Sequence, residues 1–212
     1  MADKEDEKKP AEGEKDAPEK GTKPEAEGKK PAGEAKKAES EEPPPPPPDP
    51  PFVKKIRERF GEAILESSVF ADEPTIVVGV ENLIDACVYL RDDEEMKFDY
   101  LACISSVDYP ERVPRFDLIY NLYSIKIGHR LNVIVRVEEN KEVPTVSQVW
   151  ITANWQEREI WDLMGITFAD HPNLKRILLP DWWEGHPLRK DYPLEGRGEE
   201  QKVIEECQKL KY

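Results

Sequence analysis

The stretch Arg115-Phe116-Asp117-Leu118-Ile119-Tyr120-Asn121-Leu122-Tyr123-Ser124 decides the fold, together with Leu131-Asn132-Val133-Ile134-Val135-Arg136-Val137 a short loop later. Apolar side chains fall at every second position: Phe116, Leu118, Tyr120 and Leu122 in the first run, Leu131, Val133, Val135 and Val137 in the second. A period of two turns one side of each segment inward, as in strands buried on one face. The connection around Lys126–His129 contains Gly128, which suits a hairpin loop of medium length. Phe98–Val107 reads as a further strand with mixed alternation, and Ile64-Leu65 and Thr75–Val80 as short ones.

Helical spacing surrounds this β region. Phe52, Val53, Ile56 and Phe60 recur every three or four residues between charged ones, and Gly61 supplies a stop. Asn82 is placed to cap a second helix with the stripe Leu83, Ile84, Cys87 and Val88, whose solvated end is Asp92–Glu95. After Pro144 the period changes, and Thr145–Ile151 and Asn154–Met164 read as two short helical pieces, the second ended by Gly165. Antiparallel strands with one buried face and helices to cover it predict an α+β fold: a two-layer sandwich of a mostly antiparallel sheet with helices on one face.

The flanks differ. Residues 1–51 contain no Val, Ile, Leu, Phe, Tyr or Trp and carry 12 of the 20 prolines, so little apolar surface offsets the entropy of ordering them; a disordered Lys/Glu/Pro-rich tail is expected. Residues 52–165 form the α+β domain. From Ile166 to the end, prolines and glycines break every regular pattern, yet Phe168, Leu174, Ile177, Leu178, Leu179, Trp182 and Trp183 keep the stretch apolar. Residues 166–212 therefore read as an extended, irregular, partner-wrapping arm, with a weakly amphipathic helix over Glu199–Leu210.

The net charge of −14 disfavours nucleic acid and anionic membranes as partners. No apolar run approaches the ~20 residues needed to span a bilayer, and the acidic start fits neither a secretory signal nor a transit peptide. Three scattered cysteines (Cys87, Cys103 and Cys207) argue for a reducing compartment and against a disulfide framework or a cysteine-held metal.

Candidate chemistry is sparse. Glu157-Arg158-Glu159 with Asp162 is the densest polar cluster; Arg158 and Asp162 lie one helical turn apart, and Glu159 and Asp162 share a face. A general acid/base pair or half a metal site is one reading, an ion network the other. The network is preferred, because no nucleophile, glycine-rich loop or histidine pair accompanies the carboxylates. His171-Pro172 and His186-Pro187 lack the further ligands a zinc site needs and read as turns. Leu188-Arg189-Lys190-Asp191-Tyr192-Pro193 is either a grip for a carboxylate or phosphate or a solvated loop. Trp150, Trp155 and Trp161 suit core packing better than an interface, and His129 should be exposed. No dinucleotide loop, P-loop or iron–sulfur pattern is present, so no catalytic, cofactor-binding or metal residue is assigned.

Longer runs carry a resemblance. Glu157-Arg158-Glu159-Ile160-Trp161-Asp162-Leu163-Met164-Gly165-Ile166, then Phe168, His171-Pro172 and Leu174-Lys175-Arg176-Ile177-Leu178, resembles the signature of the 30 kDa (or C) subunit family of NADH:quinone oxidoreductase, respiratory complex I. Glu184-Gly185-His186-Pro187-Leu188-Arg189-Lys190-Asp191-Tyr192-Pro193 is similar to that family's second hallmark, and Phe98–Asp108 also fits. The resemblance spans about Phe52–Gly196. The acidic proline-rich tail, Ala169-Asp170 and Trp182-Trp183 depart from it.

The resemblance implies a cofactor-free peripheral-arm subunit of the respiratory chain, on the cytoplasmic side of a bacterial inner membrane. FMN and iron–sulfur clusters would sit in partner subunits, and the complex would pass electrons from NADH to a quinone as a proton-translocating NADH dehydrogenase. Implied partners are the 49 kDa-like D subunit and the small iron–sulfur B and I subunits. Glu157, Arg158, Glu159 and Asp162 would order the arm, with Gly165, His171, Pro172, Arg176, His186 and Pro187 as signature positions and Arg189, Lys190 and Asp191 as docking contacts. The alternatives are the equivalent subunit of a membrane-bound hydrogenase or other-donor dehydrogenase, and a small metal-dependent hydrolase using Glu157, Glu159 and His171.

Overall fold

Alternation in the two deciding runs becomes a hairpin of strands β4 (Phe116–Tyr123) and β5 (Arg130–Val137), paired antiparallel from Phe116 opposite Val137 to Tyr123 opposite Arg130. All eight inward positions, from Phe116 to Leu122 and from Leu131 to Val137, are buried. The structure is a computed structural model, and residues 50–209 are described. The tail reading therefore falls almost wholly outside the described residues, with Pro50 and Pro51 at the entry to the first helix.

In chain order the remaining elements are α1 (Pro51–Phe60), β1 (Ile64–Phe70), β2 (Glu73–Val78), α2 (Leu83–Asp92), β3 (Tyr100–Asp108), the two-residue β6 (Val143–Pro144), α3 (Ala153–Met164), β7 (Phe168–Ala169) and α4 (Glu199–Lys209). The main sheet runs β1-β2-β5-β4-β3, antiparallel except where β2 lies parallel to β5. Val53 and Ile56 of α1, with Leu83, Ala86, Cys87 and Leu90 of α2, join the sheet's inner face in one core. The α+β layering holds.

Several local expectations change. Thr145–Ile151 forms turns rather than a helix, because Val143-Pro144 is held as a strand beside Phe168-Ala169. The buried stripe of α2 is Leu83, Ala86, Cys87 and Leu90, with Ile84 and Val88 only partly covered. Asn82 sits at the start of α2 without a side-chain cap, since a short 3-10 turn over Val80–Asn82 leads in. His129 is half-buried, stacked on Phe52 at 4.9 Å. The solvated acidic end of α2 is tied down, with Lys55 of α1 2.8 Å from both Asp93 and Glu95.

Candidate functional site

The last turn of any α-helix leaves four carbonyls without an intrahelical partner. In α3 they are met by the chain that follows. Asp162 O accepts from His186 Nδ1 at 2.9 Å, and Leu163 O from the Leu188 amide at 3.0 Å. Arg189 Nε donates to Met164 O at 2.6 Å, and its Nη2 reaches Gly165 O at 3.4 Å. A guanidinium at this end also suits the negative pole of the helix dipole. Residues 186–189 thus form a cap over the end of α3.

Gly165 makes that cap possible. It adopts φ +74°, and a Cβ there would lie 2.4 Å from His186 Cδ2 and 2.7 Å from Arg189 Nη2. Only glycine meets both the backbone and the space requirement. Burial foremost holds the His186 imidazole below its ordinary pKa, which keeps it a neutral Nδ1–H donor to the carbonyl.

Asp162 anchors a second loop of the arm. Its fully buried carboxylate accepts from the successive amides of Ile177, Leu178 and Leu179 at 2.9–3.0 Å through Oδ2, and from Arg176 Nη1 at 2.6 Å through Oδ1. Burial raises the pKa of such a group, but the three amides and Arg176 together outweigh it and hold Asp162 below the usual carboxylate range. Arg176 passes on to Trp183 O at 2.9 Å, which fixes the next turn of the arm.

A third cluster ties the arm to the sheet end. Arg115 grips buried Asp108 with two bonds of 2.7 and 2.8 Å and reaches Glu139 and Asp191, each at 3.2 Å. Arg189 Nη1 meets Glu139 at 3.0 Å, and the Lys190 amide donates to Asp108 at 2.8 Å. Asp108 is held below its ordinary pKa by Arg115 above all.

Glu157 stands apart, on the inner side of α3. Its carboxylate accepts from Thr145 Oγ1 and from the Val146 amide at 2.8 Å, and no part of the side chain is exposed. Burial pushes its pKa up to about 7 against those two bonds. His171 lies 3.7 Å away but directs Nε2 to Asn154 O at 3.0 Å, while its Nδ1 accepts from the Asn173 amide. The Thr145–Glu157 bond fixes the turn after β6 against α3.

Asp162, Gly165, Arg176, His186 and Arg189 converge on the end of α3, though not as their spacing suggests, while Glu157 holds the turn after β6 rather than the arm. Arg158 does not pair with Asp162; it donates to Lys175 O and Arg176 O, both at 3.0 Å, because the arm's amides and Arg176 occupy the carboxylate. Glu159 is exposed and joins no network among the described residues, so it does not help to order the arm. Arg189 and Asp191 engage Glu139 and Arg115 of this same chain, and Lys190 alone of that trio has no ion pair among the described residues. Pro172 is exposed beside His171, and Pro187 sits half-buried in the cap. Trp150 is buried with its indole N–H on Phe98 O at 3.0 Å, whereas Trp155 is 64% exposed. Spacing alone does not single out Asp108, Arg115, Glu139 or Thr145. Asp108 and Arg115 do flank the β3–β4 connection, which pairing of these strands brings together.

Among the described residues no group of three or more His, Cys, Asp and Glu is placed to hold a metal ion. A hydrolytic site on Glu157, Glu159 and His171 lacks its second carboxylate, since Glu159 lies outside while the other two are enclosed. The geometry defines an α+β domain carrying an arm clamped to the end of its own third helix. Residues 76–198 match the family described as respiratory-chain NADH dehydrogenase, 30 Kd subunit, and the chain belongs to that family.

Relatives agree. The NADH-quinone oxidoreductase C subunit of Geotalea uraniireducens (strain Rf4) is 47% identical over 143 residues, 67% of this chain and 86% of that protein. The C subunit of Brucella ovis is 47% identical over 141 residues, 66% of this chain and 70% of its own length. Among solved structures, the trypsin-resistant fragment (1-134) of Nqo5 superposes with a TM-score of 0.51 at 29% identity, covering 58% of this chain and 96% of the fragment. A chain of an archaeal membrane-bound sulfane sulfur reductase shares the fold, with a TM-score of 0.57 at 23% identity over 76% of this chain and 91% of that one.

Proposed function

We propose that this chain is a structural subunit of a proton-translocating NADH:quinone oxidoreductase, binding no cofactor and presenting a pre-formed arm to its neighbours. The observation that carries the reading is the division of labour in the hallmark runs. Asp162, Gly165, Arg176, His186 and Arg189 are consumed in the internal clamp. The apolar residues beside them stay uncovered: Leu178 is 61%, Leu188 58% and Leu194 103% exposed. Large apolar side chains held outward on a fixed loop are what a partner surface requires.

In this role the chain clasps the 49 kDa-like D subunit and lies near the B and I subunits. Partner subunits carry the flavin and iron–sulfur path from NADH to quinone, and this chain turns over no substrate itself. Among the described residues no helix is long and apolar enough to cross a membrane. Attachment in this reading is peripheral, through partners, on the cytoplasmic side of the inner membrane. The names of the Geotalea and Brucella relatives favour NADH as donor over a sister complex with another donor.

The test is purification of the tagged chain from detergent-solubilised membranes. Co-purification with the D, B and I subunits, and loss of membrane NADH:quinone reductase activity when the gene is deleted, are expected. Recovery with a nickel-containing large subunit instead, or unchanged activity on deletion, would overturn the assignment.

A further inference from the structure

We infer that Trp155, Arg158, Lys175 and Leu178 form a docking face for a partner segment that presents a carboxylate beside apolar side chains. This rests on the assembly role proposed above and adds the site and the chemistry of what occupies it.

The four residues come from α3 and from the arm loop that Asp162 anchors. Arg158 joins them. Its guanidinium lies over the Trp155 ring at 5.4 Å, while Nε and Nη2 donate to Lys175 O and Arg176 O, each at 3.0 Å. A guanidinium held by two carbonyls and an aromatic face has lost most of its side-chain freedom already. Its charge is not neutralised, however. Among the described residues no carboxylate lies within ion-pairing distance of Arg158 or of exposed Lys175, although the chain as a whole carries 45 acidic residues.

Beside Arg158 stands Trp155, 64% exposed, and three residues after Lys175 on the same arm loop comes Leu178, 61% exposed. Neither is free to retreat. Trp155 sits on a regular helix, and the Leu178 backbone is fixed by its amide bond to Asp162 at 2.9 Å. Tryptophan and arginine on rigid supports match the composition of an interface centre. The positive charge, uncompensated among the described residues, selects a partner that brings a negative one, since a carboxylate can take Nη1 of Arg158, which bonds to nothing among the described residues. The occupant is thus an acidic, apolar-anchored segment of a neighbouring subunit, and neither nucleic acid nor lipid.

The experiment uses the assembled complex purified from membranes, with a photo-crosslinking amino acid at position 155 or 178 in turn. Both positions are expected to link to one segment of one other subunit, with an Asp or Glu within about one helical turn of the linked residue. Lys175→Glu should lower the yield of intact complex roughly tenfold, and changing the partner carboxylate to Lys should restore it. Among the described residues Lys175 makes no side-chain bond, so this loss is not one of folding. If the chain is present in the complex but neither position links to another subunit, the face is wrong and the assembly role stands. The face is equally wrong if the linked segment has no carboxylate or if Lys175→Glu leaves the yield unchanged. Absence of the chain from the complex would overturn both readings.

Discussion

Replacing Glu157 by Gln should remove most of the pH dependence that this one side chain imposes on stability. Glutamine reproduces the protonated carboxyl: its oxygen can accept from the Val146 amide, and its NH2 group can face Thr145 Oγ1. Burial raises the Glu157 pKa from an ordinary 4.5 to about 7, so the folded chain holds a proton that the unfolded chain releases. The contribution of a group raised in this way is complete below the unfolded value and is lost as pH climbs through the folded one. With these two values, wild type should lose about 2.5 kcal/mol relative to Glu157→Gln between pH 5 and pH 8. Urea unfolding of both full-length proteins at those two pH values measures the difference directly. Glu157→Gln should become the more stable protein, relative to wild type, as pH rises. An equal stability difference at both pH values would refute the reasoning, because the carboxylate would then be ionised in the core at pH 5.

Other perturbations probe the clamp. Asp162→Ala leaves three amides and Arg176 facing a lost acceptor and should cost about 3–5 kcal/mol, measured by chemical denaturation, with trypsin cutting within residues 175–190 before the sheet unfolds. Gly165→Ala combines a left-handed backbone with a clash against His186 and Arg189; a loss of at least about 1–3 kcal/mol is expected, and thermal unfolding checks it. Arg158→Ala breaks no buried ion pair and should cost only about 1 kcal/mol of stability, while the yield of assembled complex falls far more; equal losses in the two measurements would contradict its outward role.

Much of the sheet was legible because its signal is local. The period of two in 116–122 and 131–137 needs no partner to be read, and Gly165 marks the end of α3 by its own backbone preference. From sequence strand β1 reads too short, since Glu66-Ser67-Ser68 carry little apolar signal. Its turn places Ala71 and Asp72 at φ 51° and 63°, where a glycine would ordinarily announce the hairpin. Helical spacing misassigned Arg158 and Asp162 because the carboxylate is claimed by amides 15–17 residues further on, a distance no local rule spans. The same holds for Thr145–Ile151, which Glu157 and β7 hold in turns.

The arm itself shows the limit most clearly. Proline-broken and rich in apolar residues, it reads as an extended, irregular segment wrapped on a partner. Its polar residues instead bind it to α3 and the sheet end, and large apolar side chains such as Leu178, Leu188 and Leu194 are left outward.

Hydrogen exchange of the isolated full-length chain tests that arrangement most directly. The amides of Ile177, Leu178, Leu179 and Leu188 should be protected to nearly the level of α3 without any other subunit, and Asp162→Ala should abolish the protection of the first three. Free exchange at all four, with the amides of β4 and β5 still protected, would show that the arm is ordered by its neighbours rather than by its own helix.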